Sequence, residues 1–557
     1  MVKLNGAHIV CESLIRLGVD TIFGIPGGTV LDLYDVLPQY PQLKHVLVRH
    51  EQAAAFAADA YSRATGRVGV ALVTSGPGAT NTVTGIANAM MDSSGFVVIT
   101  GNVAQQLMGT DAFQECDITG VTLPITKHNY LVDRVGHIAR IMKEAFHLAG
   151  TGRRGPVLID IPRNLFGEET EFVWPEKVDL PGYRPTYQGN IRQIQKAAEL
   201  INTAKRPVII AGHGVILSQA YQQLQKLAEQ ANIPVIWTLM GASAFPRSHR
   251  LDIGMPGMHG MAYANYAITH SDLVIGIGLR FDDRVTQKVS GFAPHAKIIH
   301  IDIDPAEIGK NVRTTVPVVG DVSAVLDALL PFVEENCHDE WLMQIEQWKR
   351  EHPLTQPRAQ TPLQTPYLIK QLSDITHGEA SITTDVGQHQ MWVAQHYWFN
   401  RANTLFTAGG LGSMGFGLPA AMGVAAARPD EDIWAVLGDG GFMMTMQELA
   451  TIAENQFRVK VLLVNNSSLG MVHQWQSIIY KNNIVHSDFP RHPDFVKLGE
   501  AFGIPTFRAE TPEEYERALR QVVEIRGPAM IEAVTTATEH VYPMVRRGQA
   551  IVEMIEA

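Results

Sequence analysis

Cysteine is scarce in this chain of 557 residues. The three present, Cys11, Cys116 and Cys337, show neither metal-ligand spacing nor a disulfide framework, so a reducing compartment is expected. No uninterrupted apolar run is long enough to cross a bilayer, which speaks against a helical membrane anchor. Basic residues are outnumbered: 45 Lys and Arg against 56 Asp and Glu leave a net charge of −11. That sign opposes non-specific nucleic-acid binding. A signal peptide and an Arg/Ser-rich transit segment are both missing, and Lys3-Leu4-Asn5 leads directly into an expected helix at Ala7-His8-Ile9-Val10. Low-complexity tracts and short repeats are also missing. These absences point to a cytoplasmic protein with no membrane or nucleic-acid partner. Apolar residues at 46% and charged residues at 18% are ordinary for a globular enzyme.

What the chain has is alternation. Apolar strand candidates are separated by helical segments, which predicts an α/β fold of doubly wound parallel sheets covered by helices. The first block holds Thr21–Ile25, Val68–Val73, Phe96–Ile99 and Pro156–Asp160. The second holds Pro207–Ala211, Leu273–Gly278 and Lys297–Asp302. A Pro-containing stretch, Phe172–Asn190, reads as a linker, and Glu334–Pro366 reads as a helix followed by a second linker. The expected domains are therefore 1–171, 191–333 and 367–540, with a tail at 541–557.

The third block carries the most informative pattern. Gly438-Asp439-Gly440 follows the apolar run Ile433–Leu437, and Asn465-Asn466 follows Val459–Val464. Between them Gln447–Ala453 reads as a helix. This is a βαβ unit with oxygen donors at both strand C-termini, where open α/β sheets bind ligands. One carboxylate and one amide carbonyl suit Mg²⁺, which completes its shell with waters and substrate phosphates. The plain alternative is a pair of unrelated turns. In the first block, Glu51 follows the strand Val46–Arg49 and opens an Ala-rich helix, where an acid also simply complements the helix dipole.

Asp439 and Asn466 stand 27 positions apart in the sequence, a spacing that resembles the thiamine diphosphate (ThDP) binding motif. Matching stretches occur in order along nearly the whole chain. They include Gly24-Ile25-Pro26-Gly27-Gly28, His50-Glu51-Gln52, Thr74–Asn81, Gly109–Glu115 and Thr126–Asn129. Gly257–Gly260, Arg280–Val285, Gly409–Gly417, Leu469–Gln476 and Val541–Val545 continue the series. The chain thus resembles the ThDP-dependent 2-oxoacid decarboxylases and carboligases, and within them the acetohydroxyacid synthase (acetolactate synthase) family.

The resemblance implies three domains, pyrimidine-binding, FAD-binding and diphosphate-binding, and a homodimer or dimer of dimers. It leaves room for a regulatory small subunit. It implies that Glu51 activates ThDP, with Gln114 and Lys127 near the reaction centre on loops of the partner subunit. Mg²⁺ would be held by Asp439, Asn466 and the backbone carbonyl of Ser468. Other ThDP contacts would come from Pro77, Asn81, Gly387, Gln388 and His389. Gly412 and Met414 would meet the cofactor from one loop, the alternative for Met414 being core packing. Gly438, Gly440, Gly441, Leu469, Gly470 and Met471 would complete its site.

An FAD groove would be lined by Gly212, Gly214, Thr238, Leu239 and Met240, by Met258, His259 and Gly260, and by Arg280, Asp282 and Arg284. Asp302, Ile303 and Asp321 would close it. The alternative for Asp282 and Asp283 is helix capping. Because carboligation needs no net redox change, the flavin would be structural or vestigial. Gly28, Phe113, Arg284, Met471 and Trp475 would contact substrate: Arg284 grips a carboxylate, and Trp475 packs on an alkyl group or is a buried anchor.

The implied reaction joins two small 2-oxoacids with loss of CO₂. It gives 2-acetolactate from pyruvate alone, or 2-aceto-2-hydroxybutyrate from pyruvate and 2-oxobutyrate, at the start of branched-chain amino acid synthesis. An FAD-dependent pyruvate oxidase and a carboligase of altered oxoacid range are the alternatives. The chain departs from the family pattern at Ser94-Gly95-Phe96, at Ala104 and at Arg546-Arg547. The first two departures are expected near the substrate channel.

Overall fold

The computed structural model describes residues 2–556; Met1 and Ala557, which bound the first block and the tail, lie outside the described residues. Three separate sheets form, and every strand in them runs parallel to its neighbours. The first sheet has the order Lys44–Leu47, Thr21–Gly24, Gly69–Val73, Phe96–Asn102, Val157–Pro162, His128–Leu131. The second runs Val235–Trp237, Pro207–Ala211, Leu273–Ile277, Lys297–Asp302, Val316–Val319. The third runs Leu405–Phe406, Ser381–Thr384, Ile433–Gly438, Val459–Asn465, Ala529–Val534, Thr506–Ala509. Continuous Val/Ile/Leu runs form these central strands because helices cover both faces. Gly69–Val73 and Leu273–Ile277, for example, are buried at every position.

Each sheet has a point where the chain, having built to one side, returns and builds to the other. In the first it lies between Thr21–Gly24 and Gly69–Val73, in the second between Pro207–Ala211 and Leu273–Ile277. In the third it lies between Ser381–Thr384 and Ile433–Gly438. Outside the carboxyl ends of such strand pairs a crevice opens. All three crevices carry residues singled out from the sequence.

The expected helix over Gln447–Ala453 is divided. Helix Asp439–Thr445, a 3₁₀ turn Met446–Glu448 and helix Leu449–Glu454 occupy this stretch. The Glu448 side chain leaves the turn to accept a hydrogen bond from the Arg49 backbone N–H at 2.9 Å. Helix Glu51–Thr65 is buried along most of its length and packs on helix Gly417–Ala427 of the third domain. Residues 172–190 form no helix or strand, and helix Asp339–Glu351 precedes a second irregular stretch. The tail folds back as a small hairpin, Met544–Val545 with Met554–Ile555. Arg546 and Arg547 are exposed beside it.

The Ser94-Gly95-Phe96 departure lies in the core of the first domain, next to Asp92 and Ser93, which line the cavity described below. Phe96 opens a central strand and is fully buried in the cluster that holds Phe56 and Phe416. A Cβ on Gly95 would meet the Ala149 carbonyl oxygen at 2.4 Å, so the backbone approach itself requires glycine there.

Candidate functional site

The carboxyl end of the third sheet gathers a buried acid, an amide and several glycines. Strand Ile433–Gly438 ends at Gly438, and Asp439 begins the following helix. Asp439 is 1% exposed, and burial pushes its carboxyl up to about 7. Its Oδ2 is buried without a hydrogen-bond partner. Asn466 and Ser468 lie on the loop after Val459–Asn465, where the Ser468 N–H donates to Asn466 Oδ1 at 3.1 Å. Asn466 Nδ2 donates to Gln388 Oε1 at 3.4 Å. A Cβ on Gly470 would come within 2.2 Å of Gln388 Oε1 and 2.6 Å of Asn466 Nδ2, so glycine there lets the two loops close together. Gly440 faces Leu469 and Met414, whose nearest atoms lie 2.8 and 3.5 Å from where its Cβ would be. Gly387 and Gly438 both press on the His389 ring. Burial draws His389 down to about 4.

Asp385 was not legible as a site residue. It sits one residue past Ser381–Thr384 and is fully buried. Its carboxylate accepts from the Gly415 N–H at 2.9 Å and from the Val386 N–H at 2.7 Å. It therefore shapes the glycine loop that carries Gly412 and Met414. Desolvation raises its pKa to about 6. Gly441 is glycine because Asp385 stands 2.5 Å from its Cβ position.

In the first domain, Glu51 is the first residue of its helix, and His50 caps it by accepting the Gln52 N–H. Asn81 Nδ2 donates to Glu51 Oε2 at 2.9 Å. Pro77 begins the short helix that leads to Asn81. Gly28, on the loop after Thr21–Gly24, faces open space. Gln114 adopts φ +60° with its backbone against Gly76, which brings it to the Thr74–Asn81 loop. Phe113 beside it is 88% exposed.

Lys127 is fastened within its own chain. Its Nζ donates to the carbonyls of Leu148, Thr151 and Arg153 at 2.6–2.7 Å and lies 2.7 Å from the Tyr183 hydroxyl. Burial draws its pKa down to about 8. All three ammonium protons are used by these partners, so within the chain Lys127 fastens the loop after residue 148. The cause is its own strand neighbourhood: the Lys127 N–H also donates to the Pro156 carbonyl.

The second sheet's crevice opens into a cavity of about 610 Å³. Gly214, Thr238, Leu239, Met240, Met258 and His259 line it, as do Arg280, Asp282, Arg284, Asp302, Ile303 and Asp321. Gly212 and Gly260 stand behind this lining. A Cβ on Gly212 would meet the Gly278 carbonyl oxygen at 2.2 Å, and one on Gly260 would meet the Pro256 carbonyl carbon at 2.3 Å. Asp282 caps helix Asp283–Thr286 through Oδ1, so the capping role and the groove position coexist. Burial raises Asp302 to about 6. Arg153 and His213 also line the cavity. Arg153 pairs with Asp304 and Glu307 at 3.0 and 2.6 Å, which no local motif announces. At its far end the same cavity reaches Gly412, Met471 and Trp475. The indole N–H of Trp475 has no partner among the described residues.

One groove thus runs from the middle domain to Gly412, Met471 and Trp475 of the third. Three family descriptions match the chain. Residues 4–121 match "Thiamine pyrophosphate enzyme, N-terminal TPP binding domain", residues 194–329 match the central domain and residues 385–533 match the C-terminal TPP binding domain. The acetolactate synthase large subunit of Mycobacterium tuberculosis is 48% identical over 98% of this chain and 90% of its own length. That of Corynebacterium glutamicum is 47% identical over 98% and 89%. The acetolactate synthase isozyme 3 large subunit of Escherichia coli is 44% identical over 100% and 99%. The chain belongs to the acetolactate synthase family. It is a ThDP-dependent enzyme whose first and third sheets are the two TPP-binding domains of that family.

Proposed function

We propose that the chain condenses two 2-oxoacids with loss of CO₂. The products are 2-acetolactate from pyruvate and 2-aceto-2-hydroxybutyrate from pyruvate with 2-oxobutyrate, in the cytoplasm. The observation that carries this reading is the single cavity shared by Arg284, Met471, Trp475 and Gly412: a cationic anchor and an apolar wall facing the thiamine pocket. ThDP, when bound, supplies a carbanion equivalent at its thiazolium ring. Everything else falls to the chain's own groups. Glu51 exchanges a proton with the aminopyrimidine through the oxygen that Asn81 leaves free. Met414 supports the cofactor from the loop that Asp385 fixes. Arg284 binds the acceptor carboxylate, and Trp475 contacts its alkyl group.

The buried, unpartnered Oδ2 of Asp439 fits a divalent cation. We assign Mg²⁺ to Asp439, Asn466 and the Ser468 carbonyl, an all-oxygen set that such an ion favours. FAD fits the second crevice: Asp302 and Asp321 accept backbone N–H groups through Oδ1, which leaves Oδ2 of each for ribose hydroxyls. Within one chain Glu51 and Asp439 have separate neighbours, and Gly28 and Phe113 face outward. These features support a homodimer in which each thiamine site takes Glu51 from one subunit and Asp439 from the other. The relatives' names as large subunits support a smaller regulatory partner.

The test is anaerobic turnover of pyruvate with ThDP, Mg²⁺ and FAD. Acetolactate and CO₂ should accumulate while the flavin stays oxidised. Flavin bleaching at the rate of pyruvate loss, without acetolactate, would make the chain an oxidase.

A further inference from the structure

His492 belongs to none of the motifs above. It lies on the loop between helices Gly470–Ile478 and Phe495–Ala501, with its side chain about nine-tenths buried. Its Nε2 is 2.9 Å from Asp439 Oδ2. The distance is that of a hydrogen bond, yet the alignment is not. Both atoms, and Nδ1 as well, are buried without a hydrogen-bond partner. A misaligned contact between two unsatisfied groups is costly unless something else satisfies both.

A cation would. Two ligands in adjacent positions of an octahedral centre, each about 2.1 Å from the ion, are about 3 Å apart. The separation of Nε2 and Oδ2 matches that edge. The imidazole is also held in place. Phe489 and Phe495 flank the ring at 5.1 and 5.4 Å between centroids. Its loop is fastened to the loop of Asn466 and Ser468. The Leu469 N–H donates to the Ser487 carbonyl at 2.7 Å, the Phe489 N–H to the Ser467 carbonyl at 2.8 Å, and Ser468 Oγ to the Ser487 carbonyl at 2.9 Å.

We infer that His492 is a nitrogen ligand of the divalent cation held by Asp439, in a position that a water would otherwise take. The inference rests on the cation site proposed above. An imidazole in the shell favours Co²⁺ and Ni²⁺ relative to Mg²⁺, because nitrogen donors follow the transition-metal affinity order and add little for a hard ion.

Pulsed electron paramagnetic resonance of the holoenzyme loaded with Mn²⁺ and ThDP tests this. Phosphorus coupling from the diphosphate reports that the ion occupies the proposed site. Directly bonded nitrogen coupling, altered by isotopic labelling of histidine and lost in both His492→Asn and His492→Gln, is the expected result. Phosphorus coupling without ligated nitrogen would overturn the role of His492 and leave the cation site standing. Neither coupling would overturn both. In a separate titration, followed by quenching of tryptophan fluorescence as ThDP binds, His492→Asn should lower Co²⁺ affinity by about 10-fold or more. Mg²⁺ affinity should fall less. Equal losses for the two ions would reduce His492 to a packing residue.

Discussion

A Cβ placed on Gly423 would lie 2.1 Å from the carbonyl oxygen of Ala57. The two residues sit on helices Gly417–Ala427 and Glu51–Thr65, so the first and third domains of one chain meet backbone to backbone. The helix that begins with Glu51 is thereby locked to the domain that holds Asp439, with Ala57 at the contact, while Ala55 and Ala58 meet Gly85 and Gly69 of the first domain.

Gly423→Val should therefore loosen the domain contact. Overpacking of this kind costs about 1–3 kcal/mol, and here the obstacle is backbone, which cannot rotate away. Thermal unfolding should shift down, and activity should fall with ThDP affinity. A variant of unchanged melting temperature would show that the two helices can separate freely.

Glu51→Gln should retain ThDP binding and lose most activity. The amide still accepts a hydrogen bond from Asn81 but cannot exchange a proton with the cofactor. Positioned acid–base groups contribute about 10²–10⁴-fold, so a kcat within a few-fold of the parent would remove Glu51 from the chemistry.

Glu448 gives a pH signature. It is 0% exposed, and burial raises its carboxyl from 4.5 to about 7. The folded chain thus holds this proton more tightly than the unfolded chain does. Ionisation costs stability: the cost is absent below about pH 4.5, grows as pH rises, and is complete above about pH 7. Its ceiling is about 3 kcal/mol. Denaturant unfolding at a series of pH values should show this loss in the parent and a flatter profile in Glu448→Gln. Identical profiles would mean the carboxyl ionises without penalty.

Trp475→Leu should change the choice of acceptor more than the total rate. One methylene in an apolar pocket carries about 1–3 kcal/mol of discrimination, and Trp475 lines the cavity beside Met471. Arg284→Ala should weaken use of either oxoacid, since both present the same carboxylate. If quantified product ratios move with Arg284→Ala and stay fixed with Trp475→Leu, the two roles are reversed.

The sequence made the strands readable because they are buried on both faces: Pro207–Ala211 and Lys297–Asp302 occur with the bounds their apolar runs define. The crevice residues were named through the family resemblance of ordered motifs, since a single glycine or acid at a strand end has plainer uses. The intrachain anchoring of Lys127 was not readable. Its partners are backbone carbonyls of residues 148–153, which carry no side-chain signature. His492 and Arg153 reach their partners through loops, so only the folded chain shows what they face. Asp385 was hidden because a lone Asp after a strand reads as an ordinary turn.

The central claim is that the chain joins two 2-oxoacids at one thiamine site. The most direct measurement supplies pyruvate and 2-oxobutyrate together to the enzyme with ThDP, Mg²⁺ and FAD, and quantifies both acetohydroxyacids and CO₂. The account predicts 2-acetolactate and 2-aceto-2-hydroxybutyrate, with one CO₂ released for each molecule of product. Release of CO₂ with acetate or free aldehyde and no acetohydroxyacid would contradict it.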